Sequence, residues 1–184
     1  MAKTARNLTV VVAAMAAVMA APRTSLAADA PVTNPVPMSH VRARHPKVAA
    51  VVRHAFDRSV TFRKLVATID RSDSYVYLEA GKCSHGVRAC FVSVTASDTH
   101  RFMRVVVDST NSDLELIELV AHELKHATEV IAEPWIRSSD AKYHFYERTA
   151  IHASGGTHET IAAITAGETV RSEVKKWQPD RTPY

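Results

Sequence analysis

The chain has 184 residues, 46% of them hydrophobic, which is enough for one globular domain with a core of its own. Its formal net charge of +4 belongs partly to the first 27 residues: without Lys3, Arg6 and Arg23 it falls to +1, since no acidic residue leaves with them. No basic stripe interleaved with aromatics remains, so nucleic acid is not an expected partner.

Residues 1–27 read as a secretory signal peptide. Lys3 and Arg6 supply the positive start, Leu8 to Ala21 the apolar stretch, and Ser25-Leu26-Ala27 the small residues of a cleavage site, with Ala28 as the mature N-terminus. The apolar run is shorter than the ~20 residues of a spanning helix, and no Cys follows it for lipid attachment. The expected product is exported, periplasmic or extracellular, with no stable membrane anchor. Residues 28–45 form a Pro-rich leader (Pro31, Pro35, Pro37), residues 46–177 the domain, and residues 178–184 a flexible tail.

Pro46 suits a first helical position, and Val48, Val51, Val52, Ala55 and Phe56 follow at helical spacing. A second helix runs through Phe62, Leu65, Val66 and Ile69. From Ser74 the period changes to that of strands, at 75–79, 91–95 and 102–107, and the short links between them predict a three-stranded antiparallel meander. Cys83 and Cys90 flank the first link and are the only cysteines of an exported chain, which predicts a disulfide. A soft-metal site with His85 needs more ligands than this loop supplies.

Ser112-Asp113-Leu114-Glu115 has the S-x-x-E form of a capping box, and it precedes the apolar run Leu116, Ile117, Leu119, Val120, Leu124, Ala127, Val130 and Ile131. Pro134 stops the helix. Apolar residues lie around almost its whole circumference, so the helix belongs at the centre of the domain. Within it, His122-Glu123-Leu124-Lys125-His126 reads H-E-x-x-H. Positions i and i+4 share a helix face roughly 6 Å apart, so His122 and His126 can offer two imidazole nitrogens to one metal ion. A catalytic zinc takes three protein ligands and keeps one position for water, whose pKa it lowers to about 7. Glu123 is placed to take that proton and pass it on as general base. On this pattern the chain resembles the zincin metallopeptidase superfamily, which implies Zn2+ and a peptide or protein substrate.

A helix from Ser139 to Ile151 carries Tyr143, His144, Phe145, Tyr146 and Glu147, and Ser154-Gly155-Gly156 breaks it. A last helix begins near Thr157 or His158 and runs through Ile161, Ala162, Ile164, Ala166, Val170 and Val174 towards Trp177. The third ligand lies in this part. Metzincins place a Gly and a further His where this chain has Glu129 and Ala132, which excludes that class. A gluzincin-type site takes a Glu from a later helix, and Glu159 is favoured over Glu147. Small residues, Ala162, Ala163 and Ala166, follow Glu159 and permit close packing, whereas Tyr143, His144 and Tyr146 crowd Glu147. Against this, Glu159 sits in a first helical turn, where the macrodipole favours an acid without any metal. Glu147 stays an alternative, with His144, His152 and His158 behind it.

Ser59-Val60-Thr61-Phe62-Arg63-Lys64-Leu65, Ser72-Asp73-Ser74-Tyr75-Val76-Tyr77, the His-Glu-Leu-Lys-His helix and Glu159-Thr160-Ile161-Ala162-Ala163 together resemble a family of exported bacterial zincin-like proteins of unassigned function, over roughly residues 46 to 175. The resemblance implies an α+β zincin-like fold with N-terminal helices, the sheet, the central metal helix and C-terminal helices; it supports Glu159 and names no substrate. In zincins an edge strand lies above the metal helix and pairs with extended substrate, and Arg101 to Val107 is the candidate. His144, Tyr143, Tyr146, His152 and His158 are all chemically able to stabilise the oxyanion. Glu129 is read either as a partner that orients an imidazole or, with slight preference, as a solvated acid at the helix end. The expected function is an exported zinc peptidase. The alternatives are a non-catalytic zinc-binding or interaction domain on the same fold and metal-dependent hydrolysis of something other than a peptide.

Overall fold

The computed structural model describes residues 38–152 and 158–177. The expected signal peptide, most of the leader, the Ser154-Gly155-Gly156 break and the tail lie outside them.

Helix α1 (Pro46–Arg58) starts on its proline and buries Val48, Val51, Val52 and Ala55. Ser59 ends it and caps α2 (Val60–Asp70), its hydroxyl accepting from the Phe62 N–H at 2.9 Å. Phe62, Leu65, Val66 and Ile69 of α2 face the same core.

Strands β1 (Val41–Ala43), β2 (Ser74–Ala80), β3 (Ala89–Ala96) and β4 (Arg101–Val107) form one sheet in the order β1-β2-β4-β3. β1 pairs parallel with β2 and β2 parallel with β4, and β3 is antiparallel to β4. This corrects the expected antiparallel meander in two respects. The sheet is mixed and gains a first strand from residues 41–43, within the stretch assigned to the leader. Three residues are too few to display a period, so the sequence carries no signal for β1. Arg101–Val107, expected at the edge, lies inside the sheet, and β3 is the edge instead. Burial explains the exchange: Met103, Val105, Val106 and Val107 are all buried, as an interior strand requires, whereas β3 buries only Val94. A bulge between Phe91 and Ser93 interrupts the β3–β4 register. The predicted Cys83–Cys90 disulfide forms across the β2–β3 connection.

Helix α3 (Asp113–Ile131) occupies the centre, between the sheet and the helices α1, α2 and α5. Glu115 at its N-terminus accepts from the Ser112 backbone N–H at 3.1 Å and hydroxyl at 2.6 Å. Leu116, Ile117, Val120, Leu124, Ala127 and Val130 are fully buried along it. Its C-terminal carbonyls are held by Arg101, which is 3% exposed. Nη1 donates to Val130 O at 2.9 Å, Glu133 O at 3.2 Å and Ile136 O at 3.4 Å, and Nη2 to Ile131 O at 3.2 Å. The same guanidinium pairs with Asp73 at 2.8 Å.

Helix α4 (Ser139–Thr149) is capped by the Ser138 hydroxyl, which accepts from Ala141 N–H at 3.1 Å. Two short strands follow, β5 (Ile151–His152) and β6 (His158–Glu159), paired antiparallel. Helix α5 (Ile161–Lys176) therefore begins three residues beyond the expected His158, with Thr160 as its cap. Among the described residues no helix is long and apolar enough to cross a membrane.

Candidate metal centre

His122 and His126 project from the same face of α3, with their Nε2 atoms 3.1 Å apart. Glu159 Oε2 lies 2.8 Å from Nε2 of His122 and 3.8 Å from Nε2 of His126. The three donor atoms fall within 4.8 Å of one another, and this cluster could hold a metal ion. Two bonds of ~2.0–2.1 Å meeting at a tetrahedral angle separate their donors by about 3.3 Å, within the spread seen here. Glu159 Oε2 is also fully buried and has no hydrogen bond of acceptable geometry, despite its approach to both imidazoles. A buried carboxylate oxygen aimed at two imidazole nitrogens, and satisfied by neither, fits a shared cation. Two nitrogens and one oxygen form a donor set suited to zinc, among other first-row divalent ions.

Glu159 reaches this position from β6, not from a first helical turn as expected. Pairing of Ile151 with Glu159 and of His152 with His158 fixes its backbone on one side. On the other, Thr160 accepts from Ala163 N–H at 3.0 Å and donates to Glu129 Oε1 at 2.8 Å. The expected close packing of the last helix is present and depends on a residue the sequence reading passed over. A Cβ on Gly167 would stand 2.9 Å from Glu118 O and 3.4 Å from His122 Cβ, so α5 meets the metal helix where only glycine fits. A glycine inside a helical pattern is the signal that could have found it.

Glu129 is a correction to the sequence reading. Its side chain is 13% exposed and spans His126 Nδ1 at 3.0 Å, the Thr160 hydroxyl, and the Tyr146 hydroxyl at 3.3 Å. It therefore orients the imidazole and is not a solvated acid at the helix end. Tyr146 is buried beneath the site, its hydroxyl donating to His126 O at 3.1 Å, and burial pushes its phenol pKa up. It serves to position His126. The other candidate ligands fall elsewhere: Glu147 Oε1 meets His158 Nε2 at 2.5 Å, His144 is exposed beside Tyr143, and the His152 side chain lies outside the described residues.

Burial by itself disfavours charge on His126, but the hydrogen bond to Glu129 and the nearby Glu159 carboxylate raise its pKa to about 9. Burial likewise opposes ionisation of Glu159, and the two imidazoles outweigh it and hold that carboxyl at about 2. A proton on His126, balanced by the Glu129 and Glu159 carboxylates, is thus the competitor that any cation has to displace. Glu123, beside them on α3, is 5% exposed, and burial raises its pKa against the opposing pull of His126 and His122.

Glu123, His126 and Glu159 open onto a cleft of about 440 Å³. One wall is the edge strand β3 at Ala89 to Val92, and the other is α4, with Lys142 and Tyr143, and His158 of β6. Of the residues considered for the oxyanion, Tyr143, Tyr146 and His158 line this cleft, with Tyr143 and His158 5.3 Å apart between ring centroids. Lys142 was not anticipated from the sequence. Its pKa is lowered by burial to about 8, with Glu123 opposing the shift.

Comparison of the chain with protein-family models, with curated proteins and with solved structures finds no match. The fold and the site by themselves define an α+β domain with a His/His/Glu cluster able to hold a metal ion.

Proposed function

We propose that the chain is an exported zinc-dependent peptidase, with His122, His126 and Glu159 holding the ion and Glu123 as general base. The observation that carries this reading is the unsatisfied Glu159 oxygen between two imidazoles, placed at the foot of a cleft beside a buried glutamate and a sheet edge. A zinc ion bound there supplies Lewis acidity towards water and a carbonyl oxygen. The remaining work falls to the chain. Glu123 takes the proton of the attacking water and passes it to the leaving amine, a role suited to a carboxyl whose pKa burial raises. Glu129 and Tyr146 hold His126 in place, and Tyr143 and His158 face the cleft where charge develops on the carbonyl oxygen. The edge strand β3 offers the backbone groups of Ala89 and Phe91 to an extended peptide. The Cys83–Cys90 disulfide supports an oxidising, extracytoplasmic setting.

Elemental analysis of the protein from Ala28 onwards, followed by a peptide-library assay of wild type against Glu123→Gln, tests the proposal. About one zinc per chain and cleavage lost in Glu123→Gln are the expected results. Zinc without turnover leaves the non-catalytic binding domain, and no zinc after reconstitution removes the metallopeptidase reading altogether.

A further inference from the structure

The outward side of β3 is already partly occupied. Asp108 N–H donates to Arg88 O at 2.8 Å at one end of the β3–β4 ladder, and Ser97 N–H to His100 O at 2.9 Å at the other. By the alternation of an antiparallel pair, with one extra residue at the bulge, Ala89 and Phe91 before it and Val94 and Ala96 after it turn their backbone groups away from β4. Helix α4 takes up several of these groups. Val94 N–H donates to Ser139 Oγ at 3.1 Å, and Ser139 Oγ to Val94 O at 3.3 Å. Lys142 Nζ donates to Phe91 O and, at 3.4 Å, to Val92 O, and lies 4.5 Å from the centre of the Phe91 ring. Along the cleft this leaves the N–H and C=O of Ala89 and the N–H of Phe91 to receive another strand. That short stretch includes Cys90, which the disulfide ties to Cys83, so the template is held in shape before anything binds.

We propose that α4 sets the substrate class: the edge pairs with a peptide backbone over Ala89–Phe91 alone, so substrates are short peptides or chain ends gripped on one side of the scissile bond, and Ser139 and Lys142 are the specificity-determining residues that close the rest. The inference rests on the peptidase reading and deepens it. A lysine over a sheet edge also guards against edge-to-edge association. The two roles differ in what their loss does to the dependence on substrate length.

The test is binding of fluorescent peptides, from tripeptide to decapeptide, to the zinc-loaded Glu123→Gln protein, with and without Ser139→Ala and Lys142→Met. In the Glu123→Gln background affinity is expected to level off near the tetrapeptide. With both α4 residues replaced it is expected to keep rising, to about tenfold tighter for the decapeptide, as three recovered backbone hydrogen bonds at about 0.5 kcal/mol each imply. Ala89→Pro removes an outward N–H without touching the ladder and is expected to weaken peptides of every length. The single Lys142→Met variant, checked for one zinc per chain, covers the case in which the double variant fails to fold. A steep length dependence already present with α4 intact, or a profile unchanged by the α4 substitutions, overturns the inference and leaves the peptidase reading standing. Zinc binding with no peptide bound at any length overturns both.

Discussion

Two polar clusters are built on α3, and they differ in one respect. At its C-terminal end Arg101 spends its donors on the carbonyls of Val130, Ile131, Glu133 and Ile136 and on Asp73. Everything that cluster needs comes from the chain itself, and its role is to hold the end of the helix against β4. In the middle of the same helix, His122, His126 and Glu159 converge just as closely, yet a buried oxygen is left without a proper partner. Since burying an unsatisfied polar group costs free energy, a fold that keeps one has a use for it. The saturated cluster is architecture, and the unsatisfied oxygen beside two imidazoles belongs to a cluster that could hold a metal ion.

Breaking the saturated cluster should have the largest effect. Arg101→Met removes a buried cation and leaves Asp73 and the helix-end carbonyls without their partner, a loss of about 3–5 kcal/mol by analogy with buried pairs broken on one side. Denaturant unfolding should show it equally with and without zinc. His126→Ala behaves oppositely. It should cost the zinc-free protein less than Arg101→Met does, through the Glu129 carboxylate left without its imidazole, and abolish the zinc-dependent rise in Tm, which in wild type corresponds to ~2.7 kcal/mol at a zinc concentration 100 times Kd. If Arg101→Met also abolished zinc stabilisation in protein that remains folded, the two clusters would not be independent. Glu129→Gln is the finer probe. It keeps size and a hydrogen-bonding oxygen but loses the charge that fixes His126, and should weaken zinc by about 10–100-fold in a competition titration without eliminating the site.

Helix α3 was legible in the sequence because its signals are local. A capping box, an apolar run and two histidines four apart are all contained in Ser112 to Ile131, and they needed no knowledge of the rest of the chain. Glu159 was reached by a weaker route. Ala163 and Ala166 of α5 are buried and Gly167 lies against α3, whereas Ala162 is exposed; Glu159 was expected in a helical turn because the β5–β6 pairing that carries it has two residues on each side. Sheet order escaped for a related reason: strand existence is written in local alternation, whereas adjacency depends on which strand is buried on both faces. Val105-Val106-Val107 against Val92-Ser93 held that information. Arg101, Thr160 and Lys142 act through carbonyls and carboxylates distant in sequence, and no spacing rule reaches them.

The smallest predicted effect concerns protons, and it sharpens the contrast between the two clusters. In the zinc-free protein the raised pKa of His126 makes a stabilising contribution that is complete below the ordinary value of 6.5 and is lost as pH rises through about 9. Glu159 has the opposite sign: its contribution is present above 4.5 and is lost as pH falls through about 2. Without zinc, this cluster should therefore support stability best between about 4.5 and 6.5, and Tm should decline on the alkaline side. Zinc reverses that dependence, because binding requires the His126 proton to leave. Its affinity should fall about tenfold for each unit of acidification below about 9 while one proton is released. Calorimetry at pH 7 in buffers of different ionisation enthalpy reads that proton directly. Asp73, whose pairing with Arg101 involves no exchangeable ligand, should contribute a pH dependence that is the same with and without zinc, seen only as acid approaches the carboxylate range. A zinc affinity independent of pH between 6 and 8 would show that His126 carries no proton for zinc to displace. The unsatisfied oxygen would then have to be explained by something other than competition for a cation.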